Sequence, residues 1–124
     1  MSLYSELPIY NNLFFLLKEF YTRIPKFAKQ YKYFLGEKIL AGVSESILLV
    51  HKISEDKDMQ RRYEYAEMIE TNMTELLLNI RIAQELNQFT NSKSYFFLFE
   101  KIVNILDQAK KWKKYFKKNS SQNR

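Results

Sequence analysis

At 124 residues, 46% hydrophobic and 16% aromatic, the chain is long and apolar enough for one folded domain and unlike a disordered segment. Two glycines and two prolines leave little turn chemistry for an all-β fold, and the absence of cysteine excludes disulfides, thiolate metal sites and cysteine nucleophiles. The net charge of +6 is uneven: residues 22–38 carry +4 and residues 107–124 carry +6 around an acidic middle, a distribution that favours polyanionic partners such as nucleic acid.

Apolar periodicity predicts four helices. The first covers about residues 5–23, with Ile9, Leu13, Leu16, Leu17, Phe20 and Ile24 on one stripe and Pro8 in its first turn. Pro25 disfavours helix at Ile24, so a short break or kink follows. The second helix covers about residues 26–53, its core stripe stepping through Tyr31, Leu35, Ile39, Val43, Ile47 and Val50. Gly36 and Gly42 lie inside it, each costing about 1 kcal/mol relative to alanine, so both point to close packing against another backbone.

The run Ser54-Glu55-Asp56-Lys57-Asp58 breaks the apolar pattern and supplies caps for a third helix over about residues 57–87. Thr90-Asn91-Ser92 caps a fourth, which reaches about residue 117 with Tyr95, Leu98, Phe99, Ile102, Leu106, Ala109, Trp112 and Phe116 at helical spacing. A polar tail, 119–124, closes a chain whose single domain covers 1–118. Short connections between four long helices predict an all-α, up-down-up-down antiparallel four-helix bundle.

No apolar run is long enough to span a bilayer, and no signal-type segment opens the chain, so a cytoplasmic location without membrane contact is expected. The candidate polyanion contacts fall into two blocks. Arg23, Lys26, Lys29, Lys32 and Lys38 gather at the start of the second helix, where cations oppose the helix dipole, so helix electrostatics does not account for them. Lys110, Lys111 and Lys114, with Lys113, Lys117 and Lys118, surround Trp112, Tyr115 and Phe116 near the end of the fourth helix. There lysines complement the dipole, and Glu55, Asp56 and Asp58 are available to neutralise them. The two blocks belong at opposite ends of such a bundle, so one compact basic site is not expected within a protomer; a symmetric oligomer aligns like patches.

His51 stands without a second histidine, and Glu64, Glu67 and Glu70 lack the Glu-x-x-His pairs of helical di-metal sites. Phosphate-loop, dinucleotide, zinc-protease and nucleophile-elbow motifs are also missing, so neither a cofactor nor catalysis is expected. A metal-dependent helical enzyme would need a carboxylate cluster that the spacing does not supply. Phe14, Phe15, Tyr21, Tyr33, Phe34, Phe96 and Phe97 fall at or beyond the stripe edges, and that aromatic surplus points to a subunit interface.

Three patches resemble a superfamily of four-helix-bundle proteins. It includes the accessory variability determinant (Avd) of diversity-generating retroelements and the proteins encoded by ribosomal-RNA intervening sequences. Phe27-Ala28-Lys29-Gln30-Tyr31-Lys32-Tyr33-Phe34-Leu35-Gly36-Glu37-Lys38-Ile39 is similar to the family pattern Phe-Pro-Lys-x-x-Arg-x-x-Leu-Gly-x-Arg-Ile. Ala28 replaces the proline, and Lys32 and Lys38 replace arginines, keeping charge but losing the bidentate fork. Leu77-Leu78-Asn79-Ile80-Arg81-Ile82-Ala83-Gln84-Glu85-Leu86 looks like the family's Leu-Leu-x-Leu-Arg-x-Ala-x-Glu-Leu run, in which Arg81 either pairs with Glu85 or enters an interface. The third patch is the last helix with Trp112; Ile105-Leu106-Asp107 and Lys110-Lys111 stand where accessory members often have Ile-Gly-Arg and Gly-Gly.

The resemblance implies a non-catalytic, basic homopentamer around a central axis. It would bind RNA or DNA and a reverse transcriptase in mutagenic cDNA synthesis, presenting its lysines and Arg81. The alternative within the superfamily is an intervening-sequence-type bundle protein with a structural or unknown role.

Overall fold

Pro8 opens the first helix because a proline at the first helical position gives up an N–H that has no intrahelical partner there. The computed structural model describes residues 7–122, in which this helix, α1, spans Pro8–Arg23 and buries Ile9, Leu13, Leu16 and Phe20. A 3-10 turn, Ile24–Lys26, and a one-turn helix α2, Lys29–Lys32, come next. Three long helices complete the chain: α3 (Phe34–Glu55), α4 (Met59–Glu85) and α5 (Ser92–Gln122). The described residues contain no strand, so the all-α class holds. The expected start at Ser5 and the end of the expected tail, Asn123 and Arg124, lie outside the described residues.

The four long helices pack together. α5 lies most extensively on α4 and α4 on α3, while α1 touches both α3 and α5. One continuous core results, with Leu13, Leu16 and Phe20 meeting Ile39, Val43, Ile69, Met73, Ile80, Leu98 and Ile102, all fully buried. The buried Ser46 keeps its hydroxyl satisfied by donating to the Gly42 carbonyl at 2.8 Å and accepting from Asn72 Nδ2 at 3.2 Å. That bond ties α3 to α4 across the core edge.

The expected second helix is not continuous. Phe27 and Ala28 are extended, and Phe27 is buried at 4% exposure, edge-on to Phe89 at 5.7 Å. Burying an aromatic side chain stabilises by about 1.5–3 kcal/mol, comparable to the helical hydrogen bonds given up, which are worth about 1 kcal/mol each. The exposed backbone is also retied: the Ala28 N–H donates to Gln88 Oε1 at 2.6 Å, and Gln88 Nε2 donates to the Leu86 carbonyl at 2.7 Å. Tyr31, placed on the core stripe by periodicity, is consequently only half-buried.

The later boundaries follow capping chemistry. Asp58 accepts from the N–H groups of Gln60 and Arg61 and starts α4. Asn87 ends it in the left-handed region at φ 58°, with its N–H on the Gln84 carbonyl and that of Gln88 on the Ala83 carbonyl. This is a Schellman closure with asparagine in the usual glycine position. α5 passes its expected end near residue 117 because nothing from Lys117 to Gln122 is a glycine or proline.

Candidate nucleic-acid interface

The break before α3 redistributes the first basic block. Lys26 sits in the 3-10 turn, Lys29 and Lys32 in α2, and Lys38 in α3. The long helix therefore begins at Phe34 with Glu37, an acid, in its first turn. Lys29 and Lys32 form the turn just before it, joined through Tyr33 in helical conformation, so they still lie at the positive end of the helix dipole.

Arg23 is spoken for. Its guanidinium pairs with Glu19 one turn back, and its Nε donates to Ser94 Oγ at 2.7 Å. With Lys26, Gln88 and Asn91 it lines a hollow of about 240 Å³ where the end of α1 meets the start of α5. Lys29 is exposed and Lys32 half-buried. Lys38 lies apart from these, in a groove between α3 and α4 that also contains Glu45 and Glu75. Arg81 is exposed on α4, with Nε 3.6 Å from Glu85 Oε1; that pair is solvated, so it contributes little.

At the other end of α5, Lys110, Lys111 and Lys114 are exposed and take part in none of the ion pairs among the described residues. Of the acids expected to neutralise them, Asp56 and Asp58 are engaged locally instead, while Glu55 is exposed and in none of the ion pairs among the described residues. Asp56 accepts from Arg61 Nε at 2.6 Å, and Asp58 lies 3.5 Å from the same guanidinium. The Arg61 hydrogen bond holds the Asp56 carboxyl below the usual aspartate value, helped by the Asp58 backbone N–H. Lys113 is the lysine of this run that turns inward: its Nζ is 2.7 Å from Glu70, 3.7 Å from Glu67 and 5.7 Å from the Tyr63 ring centroid. The Glu70 hydrogen bond raises Lys113 above the ordinary lysine value against the opposing cost of burial.

The aromatic surplus divides. Phe14 packs on Tyr10 at 4.8 Å, whereas Tyr21, Tyr33, Phe34, Phe96 and Phe97 are exposed. Phe97 stands edge-on to Phe15 at 5.5 Å, with Lys101 Nζ 5.2 Å from the Phe15 ring centroid. His51 packs edge-on to Tyr10, and Glu67 and Glu70 hold Lys113. Among the described residues no group of three or more acids or histidines is placed to hold a metal ion, and no helix is long and apolar enough to cross a membrane.

Sequence reasoning missed Arg62. Its Nε donates to the Asp56 carbonyl and its guanidinium carbon lies 5.9 Å from the Phe116 ring centroid. It lines an open hollow of about 710 Å³ with Trp112, Tyr115 and Phe116. The spacing of Trp112, Tyr115 and Phe116 was visible on one helix, but their meeting with a residue of α4 depends on how the helices pack. Comparison of the chain with family models, with curated proteins and with solved structures returned no match.

Proposed function

We propose that this protein is an Avd-like, antiparallel up-down-up-down four-helix bundle. It acts as a non-catalytic basic accessory that binds nucleic acid, a reverse transcriptase, or both, as a ring-shaped homopentamer in mutagenic cDNA synthesis. The observation that carries the binding reading is the state of the lysines. Lys26, Lys29, Lys110, Lys111 and Lys114 are exposed and outside the ion pairs among the described residues, while Asp56 and Asp58 are paired with Arg61. A merely solvated basic face would be expected to recruit those acids; an interface for phosphates keeps its cations available.

Contacts between helix ends support the bundle topology. Arg23 at the end of α1 meets Ser94 at the start of α5, Ile24 meets Gly36 early in α3, and Arg62 early in α4 meets Phe116 late in α5. Exposed Tyr21, Phe34, Phe96 and Phe97 supply apolar area for subunit contact.

Light scattering at micromolar concentration is expected to give a pentamer, and a monomer overturns the ring. Titration with single-stranded RNA or DNA is expected to show affinity falling about 300-fold or more between about 50 and 200 mM salt, as for six or more phosphate contacts at about 0.7 each. Absent or salt-insensitive binding overturns the nucleic-acid reading.

A further inference from the structure

The hollow at the late end of α5 has no part in the function above. Its volume of about 710 Å³ is in the range of ligand sites, about 300–1,000 Å³. Its lining is aromatic and aliphatic: Val50, Ile53 and Phe116 are buried, Trp112 is half-buried, and Tyr115 is 57% exposed. The rings form a cluster, with Tyr115 and Phe116 edge-on at 5.8 Å and Trp112 and Phe116 tilted at 6.1 Å. Glu55 and Arg62 also line it and offset each other in charge. The positive field therefore comes from α5 itself. Lys111 and Lys118 lie four residues before and three after Tyr115, on the same helix face, and both are exposed outside the described ion pairs.

We propose that this hollow is a base-stacking site for single-stranded nucleic acid, in which Tyr115 and Trp112 receive a base while Lys111 and Lys118 hold the flanking phosphates. The inference rests on the nucleic-acid reading above and specifies its site and strand form. Phosphate binding alone requires no aromatic surface, and a duplex keeps its bases stacked out of reach of Tyr115. Unstacked bases offer a π face to any exposed ring, and lysines interleaved with aromatics are the arrangement that single strands need. An acidic peptide would satisfy the lysines but has no equivalent use for the rings.

Trp112 is the chain's single tryptophan, so its own fluorescence reports on the site. The full-length protein would be titrated with a thymidine oligonucleotide, an abasic oligomer of equal length and a duplex. The expected result is quenching of Trp112 by the base-bearing strand and binding about 5- to 100-fold tighter than to the abasic oligomer. Tyr115→Ala should remove that preference with the helical circular dichroism unchanged, and Tyr115→Phe should keep it. Lys111→Gln with Lys118→Gln should weaken the base-bearing and abasic strands equally. Equal affinity for base-bearing and abasic strands, duplex binding as tight as single-strand binding, or a Tyr115→Ala variant that retains the preference overturns the stacking site while leaving polyanion binding standing. Binding of none of the three probes overturns both readings. Displacement of the thymidine strand by an acidic peptide with equal quenching of Trp112 assigns the hollow to protein and overturns it as well.

Discussion

Two glycines in one helix do different things. At Gly36 an added Cβ would stand 2.6 Å from Ile24 Cγ2, and Ile24 is itself buried and followed by Pro25, so it has no room to yield. At Gly42 the nearest atom would be the Asn72 carbonyl oxygen at 3.9 Å, an ordinary contact. Gly36→Ala is therefore expected to destabilise by about 1–3 kcal/mol through overpacking. Gly42→Ala should stabilise by up to about 1 kcal/mol through helix propensity. Urea midpoints at unchanged slope measure both, and two shifts of the same sign would refute the distinction. The sequence marked both glycines as close approaches to a backbone. Only Gly36 is tight, and against a side chain twelve residues earlier, a proximity created by the turn at Pro25. Arg23 and Arg81 show the same limit. Glu85 four residues after Arg81 was legible as a partner, whereas Ser94 reaching Arg23 depends on α5 lying against α1.

Helix existence was readable wherever caps and periodicity agreed, and unreadable where a tertiary contact overrode them. The connection before α4 is local chemistry: Asp58 takes the N–H groups of Gln60 and Arg61, and Asp56 grips Arg61. Asp58→Ala is expected to cost about 0.5–2 kcal/mol, while Asp58→Asn, which keeps the accepting oxygen, should retain most of the cap. Thermal melts of the two variants separate the cap from the Arg61 pairing, since equal losses would mean that charge, not capping, supplies the stability. The segment between α1 and α3 behaves otherwise. Pro25 marked a break at Ile24, but periodicity resumed the helix at about residue 26, whereas Phe27 finds Phe89 in the core and Gln88 replaces the lost backbone partner of Ala28. Neither partner is near in sequence, so no local pattern extends the break to Phe27 and Ala28.

At the scale of the molecule, the basic residues do not form one site. Ser94, beside Arg23, and Trp112, beside the aromatic hollow, lie about 27 Å apart along α5 at the helical rise of about 1.5 Å per residue. Screening at physiological salt acts over about 8 Å, so cations at the two ends act independently. A strand long enough to engage both must therefore show additive salt effects. Replacing Lys26 and Lys29 with glutamine should lower the slope of log affinity against log salt by about 1.4, at about 0.7 per lost single-strand contact. Replacing Lys110, Lys111 and Lys114 should lower it by about 2, and the combined variant by the sum. Lys38→Gln should leave it unchanged, because Glu45 and Glu75 share its groove. Fluorescence anisotropy of a labelled single strand over a salt series decides the matter. If one set of substitutions carries the whole slope, the strand is held at one end of the protein and the other lysines serve only its solvated surface.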